Sequence, residues 1–148
     1  MTFATYTPPL PHRQHNHPVA ELLSLEASSL TDLSDRTRQG FPRRSLERIG
    51  EILGLPQQQL APLLGVNVRT LQRAGATLSP ALSDHLFRIA NLLDAAIRFH
   101  GSREAAVRWL DTPNPALGHA KPLECARTEA GNQAVLDLLG GLEHGVIQ

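Results

Sequence analysis

The sequence predicts an all-α protein, and three observations carry that expectation. Residues 79–101 form one long helical stripe, residues 45–74 spell two short helices, a glycine turn and a capped third helix, and further helical segments follow the stripe. In the long stripe Ser79 is a good N-cap, and Pro80 gives up an N–H that would be orphaned anyway. Leu82, Leu86, Ile89, Leu93 and Ala96 recur at spacings of four and three, and Phe87, Leu92, Ile97 and Phe99 widen the stripe. Asp84 with Arg88 and Asp94 with Arg98 make i,i+4 pairs on the polar face, and Gly101 ends the helix. A helix apolar on so many sides needs something packed on each flank.

In chain order, residues 1–18 hold four prolines and no periodicity, and read as a disordered arm. His12, His15 and His17 lie close in sequence, but no cysteine or carboxylate stands near them and no scaffold is predicted to fix their geometry. A solvated tail is the reading, with no metal site. Residues 19–38 fit one or two short helices around Leu22, Leu23, Leu25, Leu30 and Leu33, and Gly40, Phe41 and Pro42 close that region as a loop.

Leu46, Ile49, Ile52 and Leu53 then fit one helix face, which stops at Gly54. Pro56 opens a second helix with Leu60, Ala61, Leu63 and Leu64 inward. Gly65, Val66 and Asn67 make a tight turn, and Asn67 caps a third helix containing Val68, Leu71 and Ala74. This order is the signature of a helix-turn-helix. Its third helix offers Arg69, Thr70, Gln72 and Arg73 to DNA, with Asn67 at its start. Guanidinium groups suit phosphate oxygens, and Arg and Gln can read base edges in the major groove. Pro62 inside the second helix removes a hydrogen bond at a cost of about 3 kcal/mol in a regular helix, so that helix is expected to be short or kinked.

Ser102 caps another helix, with Ala105, Ala106, Trp109 and Leu110 facing inward and Trp109 as a core anchor. Residues 111–118 break regular structure. Pro113 and Pro115 fix two φ angles and Gly118 permits a positive one, so the loop is expected to be rigid. Lys121 and Pro122 begin a short helix through Cys125, and Thr128 caps the last, with Val135, Leu138, Leu139 and Leu142 inward. The six residues after Leu142 are too few to build a packed element.

Net charge is zero, which argues against a general nucleic-acid coat, but residues 35–75 carry seven arginines against three acids, a net +4. The single cysteine excludes an internal disulfide and fits a reducing compartment. With no signal peptide and no apolar run near the roughly 18 residues of a membrane span, the expectation is a soluble cytoplasmic protein. No nucleophile motif, phosphate loop or metal-ligand spacing stands out, so neither an enzyme nor a cofactor is expected.

The order GFPRRSLERIGEILGL, QLAPLLGVNVRTLQR, EAAVRWLDTPNPALGHAKPLECARTEAG and LLGGLEHGV resembles antitoxins of the Xre/MbcA/ParS type over residues 40–147. The most specific part is WLDTPNPALGHAKPLE with EHGV near the end. The resemblance implies an Xre-like helix-turn-helix followed by a C-terminal helical toxin-binding domain. It further implies a type II toxin–antitoxin pair whose toxin has a RES domain and consumes NAD or transfers ADP-ribose from it. The resemblance also implies that the antitoxin covers the toxin's active site and that the complex represses its own operon. By position, the toxin-facing candidates are Asn114, Pro115, Leu117 and Gly118 in the loop, and Glu143, His144, Gly145, Val146, Ile147 and Gln148 in the tail.

The expected division is an arm over 1–39, a helix-turn-helix region over 40–76 and a toxin-binding region over 77–148. The expected partners are a RES-domain toxin, operator DNA and a second copy of the chain, since two-fold DNA sites match dimeric helix-turn-helix proteins. The alternative is a stand-alone helix-turn-helix regulator whose C-terminal region senses a partner. Co-purification with the protein encoded next door separates the two.

Overall fold

Ser79 accepts a hydrogen bond from the Leu82 amide at 3.2 Å, and Gly101, left-handed at φ 79°, closes the helix between them over Pro80–His100. Both ends of the long stripe are therefore where the capping residues placed them. The computed structural model describes residues 15–143 together with Thr5. Among the described residues the secondary structure is helical: α1 (Pro18–Leu22), α2 (Leu30–Gln39), α3 (Arg43–Leu53), α4 (Gln57–Leu63), α5 (Val68–Arg73), α6 (Pro80–His100), α7 (Arg103–Leu110), α8 (Pro122–Cys125) and α9 (Glu129–Glu143). A 3-10 turn, Pro115–Leu117, lies between α7 and α8.

α6 is the centre of the molecule, with α1 and α2 from earlier in the chain and α7 and α9 from later in the chain packed on it. Leu86, Ile89, Ala90, Leu92, Leu93 and Ala96 are at most 1 % exposed. Each fully buried large aliphatic side chain contributes about 1.5–3 kcal/mol, so this helix organises much of the core. Phe87 and Ile97 pack on the core only in part and Phe99 is exposed, so the stripe is narrower than its apolar composition suggests. The ion pairs on its polar face form, Arg88 to Asp84 at 3.7 Å and Arg98 to Asp94 at 3.2 Å.

The arm reading of residues 1–18 needs correction at its end. Asn16 Nδ2 donates to the Leu25 carbonyl at 2.7 Å, its Oδ1 accepts from the Ala27 amide at 2.7 Å, and the His17 amide donates to the Ala27 carbonyl. His17 caps α1, and Val19, Ala20, Leu22 and Leu23 are buried. These bonds span about ten residues and local periodicity does not report them. The earlier part of the arm, His12 included and Thr5 apart, lies outside the described residues.

Phe41, expected in a loop, is fully buried. A strap of residues 41–43 pairs with residues 76–78: the Leu78 amide donates to the Phe41 carbonyl at 2.7 Å and the Arg43 amide to the Ala76 carbonyl at 2.9 Å. Gly40 makes this approach possible, because at φ 94° a Cβ would collide with the Leu78 carbonyl oxygen. The Phe41 amide donates to Ser83 Oγ at 2.8 Å, and the same hydroxyl donates to the Ser79 carbonyl at 2.8 Å. The strap is thereby fastened to the first turn of α6.

Further corrections concern the second half. Residues 111–118 are not devoid of regular structure, since Asn114 caps the 3-10 turn. Trp109 and Ala105 are half-buried rather than enclosed. Trp109 packs on the core and against the His100 ring, with centroids 5.5 Å apart. In α9 Val135 and Leu139 are buried as expected, but Leu136 rather than Leu138 joins the core. The expected inward packing of the Leu142 side chain lies outside the described residues.

Candidate functional site

The first candidate surface is built from α4, its turn and α5. Pro62 cannot donate to the Gln58 carbonyl, and α4 ends one residue later, seven residues long and as short as that proline predicts. The end is a Schellman motif: the Gly65 amide donates to the Pro62 carbonyl and the Val66 amide to the Ala61 carbonyl, both at 3.1 Å, with Gly65 at φ 71°. Asn67 then caps α5, its Oδ1 accepting from the Thr70 amide at 2.9 Å and the Thr70 hydroxyl at 3.1 Å. Leu71 is the buried pin of α5, with Val68 and Ala74 partly buried beside it.

Opposite Leu71, the residues Asn67, Arg69, Thr70, Gln72 and Arg73 are all exposed. Positions 69, 72 and 73 share one helix face, so the structure brings the two guanidinium groups and the Gln72 amide together. The surrounding basic charge is partly spent elsewhere. Arg38 pairs with Asp35, Arg48 with Glu51 at 3.5 Å, and Arg44 Nε donates to the Ser24 carbonyl at 3.0 Å. Arg43 turns inward. Arg69 and Arg73 make no ion pair with a described residue. Arg36 and Arg44 likewise make no ion pair with a described residue, so α5 carries two of the four arginines in residues 35–75 that keep their charge without a carboxylate partner.

The second surface surrounds the 3-10 turn. Asn114 Oδ1 accepts from the Ala116 amide at 2.9 Å, and the Asn114 carbonyl accepts from the amides of Leu117 and His119 at 3.0 and 2.9 Å. Its own amide donates to the Ala120 carbonyl at 3.0 Å, so the loop is tied to itself at both ends. Gly118 and His119 are both left-handed, at φ 65° and 66°. Pro115 and Gly118 are exposed, while Asn114 is half-buried and Leu117 packs partly on the core. Lys121 Nζ meets Asp111 Oδ1 at 3.1 Å across the base of the loop. α9 packs beside this turn and reaches Glu143. The Glu143 side chain and residues His144, Gly145, Val146, Ile147 and Gln148 lie outside the described residues.

Sequence reasoning missed two contributors. Ser83, fully buried, fastens the strap, and Arg43 reaches the end of α5. A polar residue inside the apolar stripe was the only local sign of the first; the second has none, because its partners lie 28 and 31 residues away. Burial lowers the His100 imidazole below its ordinary pKa, and its Nε2 is enclosed without a hydrogen-bond partner among the described residues. Among the described residues no three His, Cys, Asp or Glu side chains are placed to hold a metal, and no helix is long and apolar enough to cross a membrane.

Two protein-family models match this chain: the antitoxin Xre-like helix-turn-helix domain over residues 32–91, and the antitoxin Xre/MbcA/ParS C-terminal toxin-binding domain over residues 94–145. The chain is 33 % identical over 128 residues to Antitoxin Xre of Yersinia enterocolitica serotype O:8 / biotype 1B, covering 84 % of this chain and 86 % of that one. It is 25 % identical over 140 residues to Antitoxin Xre of Photorhabdus laumondii subsp. laumondii, covering 92 % and 95 %. A 51-residue similarity to 6-hydroxy-3-succinoylpyridine 3-monooxygenase of Pseudomonas putida, 37 % identical, spans 34 % of this chain but 16 % of that enzyme, too little to carry its activity over.

Proposed function

The chain belongs to the Xre/MbcA/ParS family of antitoxins, and from that premise we propose that it neutralises a RES-domain, NAD-consuming toxin by covering its active site and represses its own operon through α5. The family consists of toxin-neutralising binding proteins, so the chemistry to explain is occupation and competition rather than catalysis. The observation that carries the toxin half is the extent of the toxin-binding similarity. It spans residues 94–145, taking in both the self-tied loop at Asn114, Pro115, Leu117 and Gly118 and the start of the tail.

In this reading the loop is a preformed contact face. Its conformation is already fixed by hydrogen bonds, so little ordering entropy is lost when a partner docks. The tail, Glu143, His144, Gly145, Val146, Ile147 and Gln148, enters the NAD cleft. Glu143 meets basic groups that otherwise hold the pyrophosphate, and Val146 and Ile147 fill apolar space. Blocking is then direct competition for the substrate site.

The DNA half rests on the exposed face of α5, where Arg69 and Arg73 are free of carboxylate partners among the described residues and Gln72 shares the face with Arg69. Residues 40–76 act on DNA and residues 77–148 on the toxin. Within one chain α1, α2, α7 and α9 already cover α6, so its apolar stripe needs no second copy to be buried. A homodimer in the cytoplasm remains the assembly that fits a two-fold operator.

The test removes residues 143–148. Helix content and oligomeric state are expected to stay as in the full chain, while protection of cells and inhibition of NAD turnover by the co-expressed toxin are lost. A truncated chain that protects as well as the full one would show that the tail is not the plug.

A further inference from the structure

α5 is six residues long, too short to be stable by itself, and at its C-terminal end the only main-chain partner among the described residues is the Ala74 cap amide, 3.3 Å from the Leu71 carbonyl. Arg43, at the first position of α3, supplies partners. Its Nη1 donates to the Leu71 carbonyl at 3.2 Å and to the Ala74 carbonyl, while its Nε lies 3.6 Å from Glu47 Oε1, one turn along α3. The Arg43 amide is held as well, donating to the Ala76 carbonyl just beyond α5. Main chain and side chain of one residue thus grip the end of the helix from the same side. The guanidinium also places positive charge at the negative end of the α5 dipole.

The side chain is 28 % exposed and its fork points at protein carbonyls, whereas Arg69 and Arg73 are exposed. In sequence these arginines form one basic group; in the structure they divide into one that faces the helix and two that face outward. We propose that Arg43 is a positioning residue for DNA recognition. It sets the angle at which α5 presents Arg69, Thr70, Gln72 and Arg73, and makes no DNA contact of its own. The proposal rests on the reading of α5 as the DNA-facing helix. It has a consequence that simple charge counting lacks. A residue that neutralises a phosphate contributes about 0.9 to the slope of log affinity against log salt and acts on every sequence. A residue that aims a reading helix contributes nothing to that slope and acts on the preferred sequence alone.

The experiment measures binding of the full chain by fluorescence anisotropy, at several salt concentrations, to two duplexes. One spans the region upstream of its own gene; the other is a shuffled sequence of equal length and composition. Arg43→Gln is expected to lose about tenfold in affinity for the upstream duplex, with the shuffled duplex and the salt slope unchanged. Arg43→Lys keeps the charge but not the fork, and is expected to fall between Arg43→Gln and the parent chain. It also serves if Arg43→Gln fails to fold by circular dichroism. Arg69→Ala is expected to lower the slope by about 0.9 on both duplexes. Equal losses on both duplexes with a lowered slope for Arg43→Gln would make Arg43 a phosphate ligand and overturn the proposal. Unchanged binding of the upstream duplex by the folded Arg43 variants overturns it too, leaving the α5 reading intact. A parent chain that does not distinguish the duplexes overturns the reading of α5, and the proposal with it.

Discussion

Replacing Ser83 with alanine tests how the strap is fastened to α6. The hydroxyl makes two hydrogen bonds, accepting from the Phe41 amide at 2.8 Å and donating to the Ser79 carbonyl at 2.8 Å. Counting bonds would assign each about 1 kcal/mol. The surroundings distribute the cost differently. The Ser79 carbonyl also accepts from the Ser83 amide at 2.9 Å, so it keeps a partner in the variant. Phe41 is fully buried, and its amide is left with nothing to donate to. An orphaned buried N–H costs about 1–3 kcal/mol, while the lost methylene-sized hydroxyl leaves almost no cavity. Ser83→Ala is therefore expected to lower stability by about 2 kcal/mol, nearly all of it at Phe41. Urea unfolding reads this as a midpoint shift of roughly 1 M at unchanged slope, for a slope of about 2 kcal/mol/M. Ser45→Ala is the control, because that hydroxyl donates to the Leu23 carbonyl and leaves only an acceptor behind. Its cost is expected to be smaller, about 1 kcal/mol. A Ser83→Ala loss under about 0.5 kcal/mol, or below that of Ser45→Ala, would refute the reasoning.

Asn16→Ala removes two hydrogen bonds that hold residues 25 and 27, and is expected to cost about 1–3 kcal/mol in urea unfolding, more than a tail substitution could. Asn67→Ala uncaps α5 and is expected to cost about 1 kcal/mol, with Asn67→Gly recovering most of it; equal losses for both would argue against the cap. The His100 imidazole sits below its ordinary pKa because burial penalises the charged ring, so the folded state favours the neutral form. Its contribution is full above pH 6.5 and is lost as pH falls from there through the lowered folded value. Stability measured across that range should decline on the acid side, and His100→Gln should flatten the decline relative to the parent chain.

α6 was legible in the sequence because its signals are local: Ser79 and Pro80 at one end, Gly101 at the other and the apolar stripe between. The turn between α4 and α5 was legible for the same reason, since Gly65 and Asn67 each do one job that few other residues do. α1 was legible in part. Leu22 and Leu23 marked a short helix there, but its start at Pro18 and its docking come from Asn16 and from burial of Val19 and Leu23, which leave no local period. The 3-10 turn left a trace that went unused, an Asn before a Pro, which is a cap followed by a favoured first position. Of the candidate surfaces, the identity of the α5 residues could be read from spacing, but the division of the arginines could not. Whether a guanidinium faces a helix end or the outside depends on contacts across some thirty residues.

The two family similarities meet at residues 91 and 94, inside α6 rather than at a joint. One rigid helix therefore belongs to both, and it fixes their mutual aim as a shaft fixes two gears. Each residue added between them would turn one half by about 100° against the other and shift it by about 1.5 Å. Seven added residues would bring the halves back to within about 20° of their original phase, though some 10 Å further apart. A recombination event that joins the DNA-reading half of one relative to the toxin-facing half of another keeps its geometry only when the splice conserves that count.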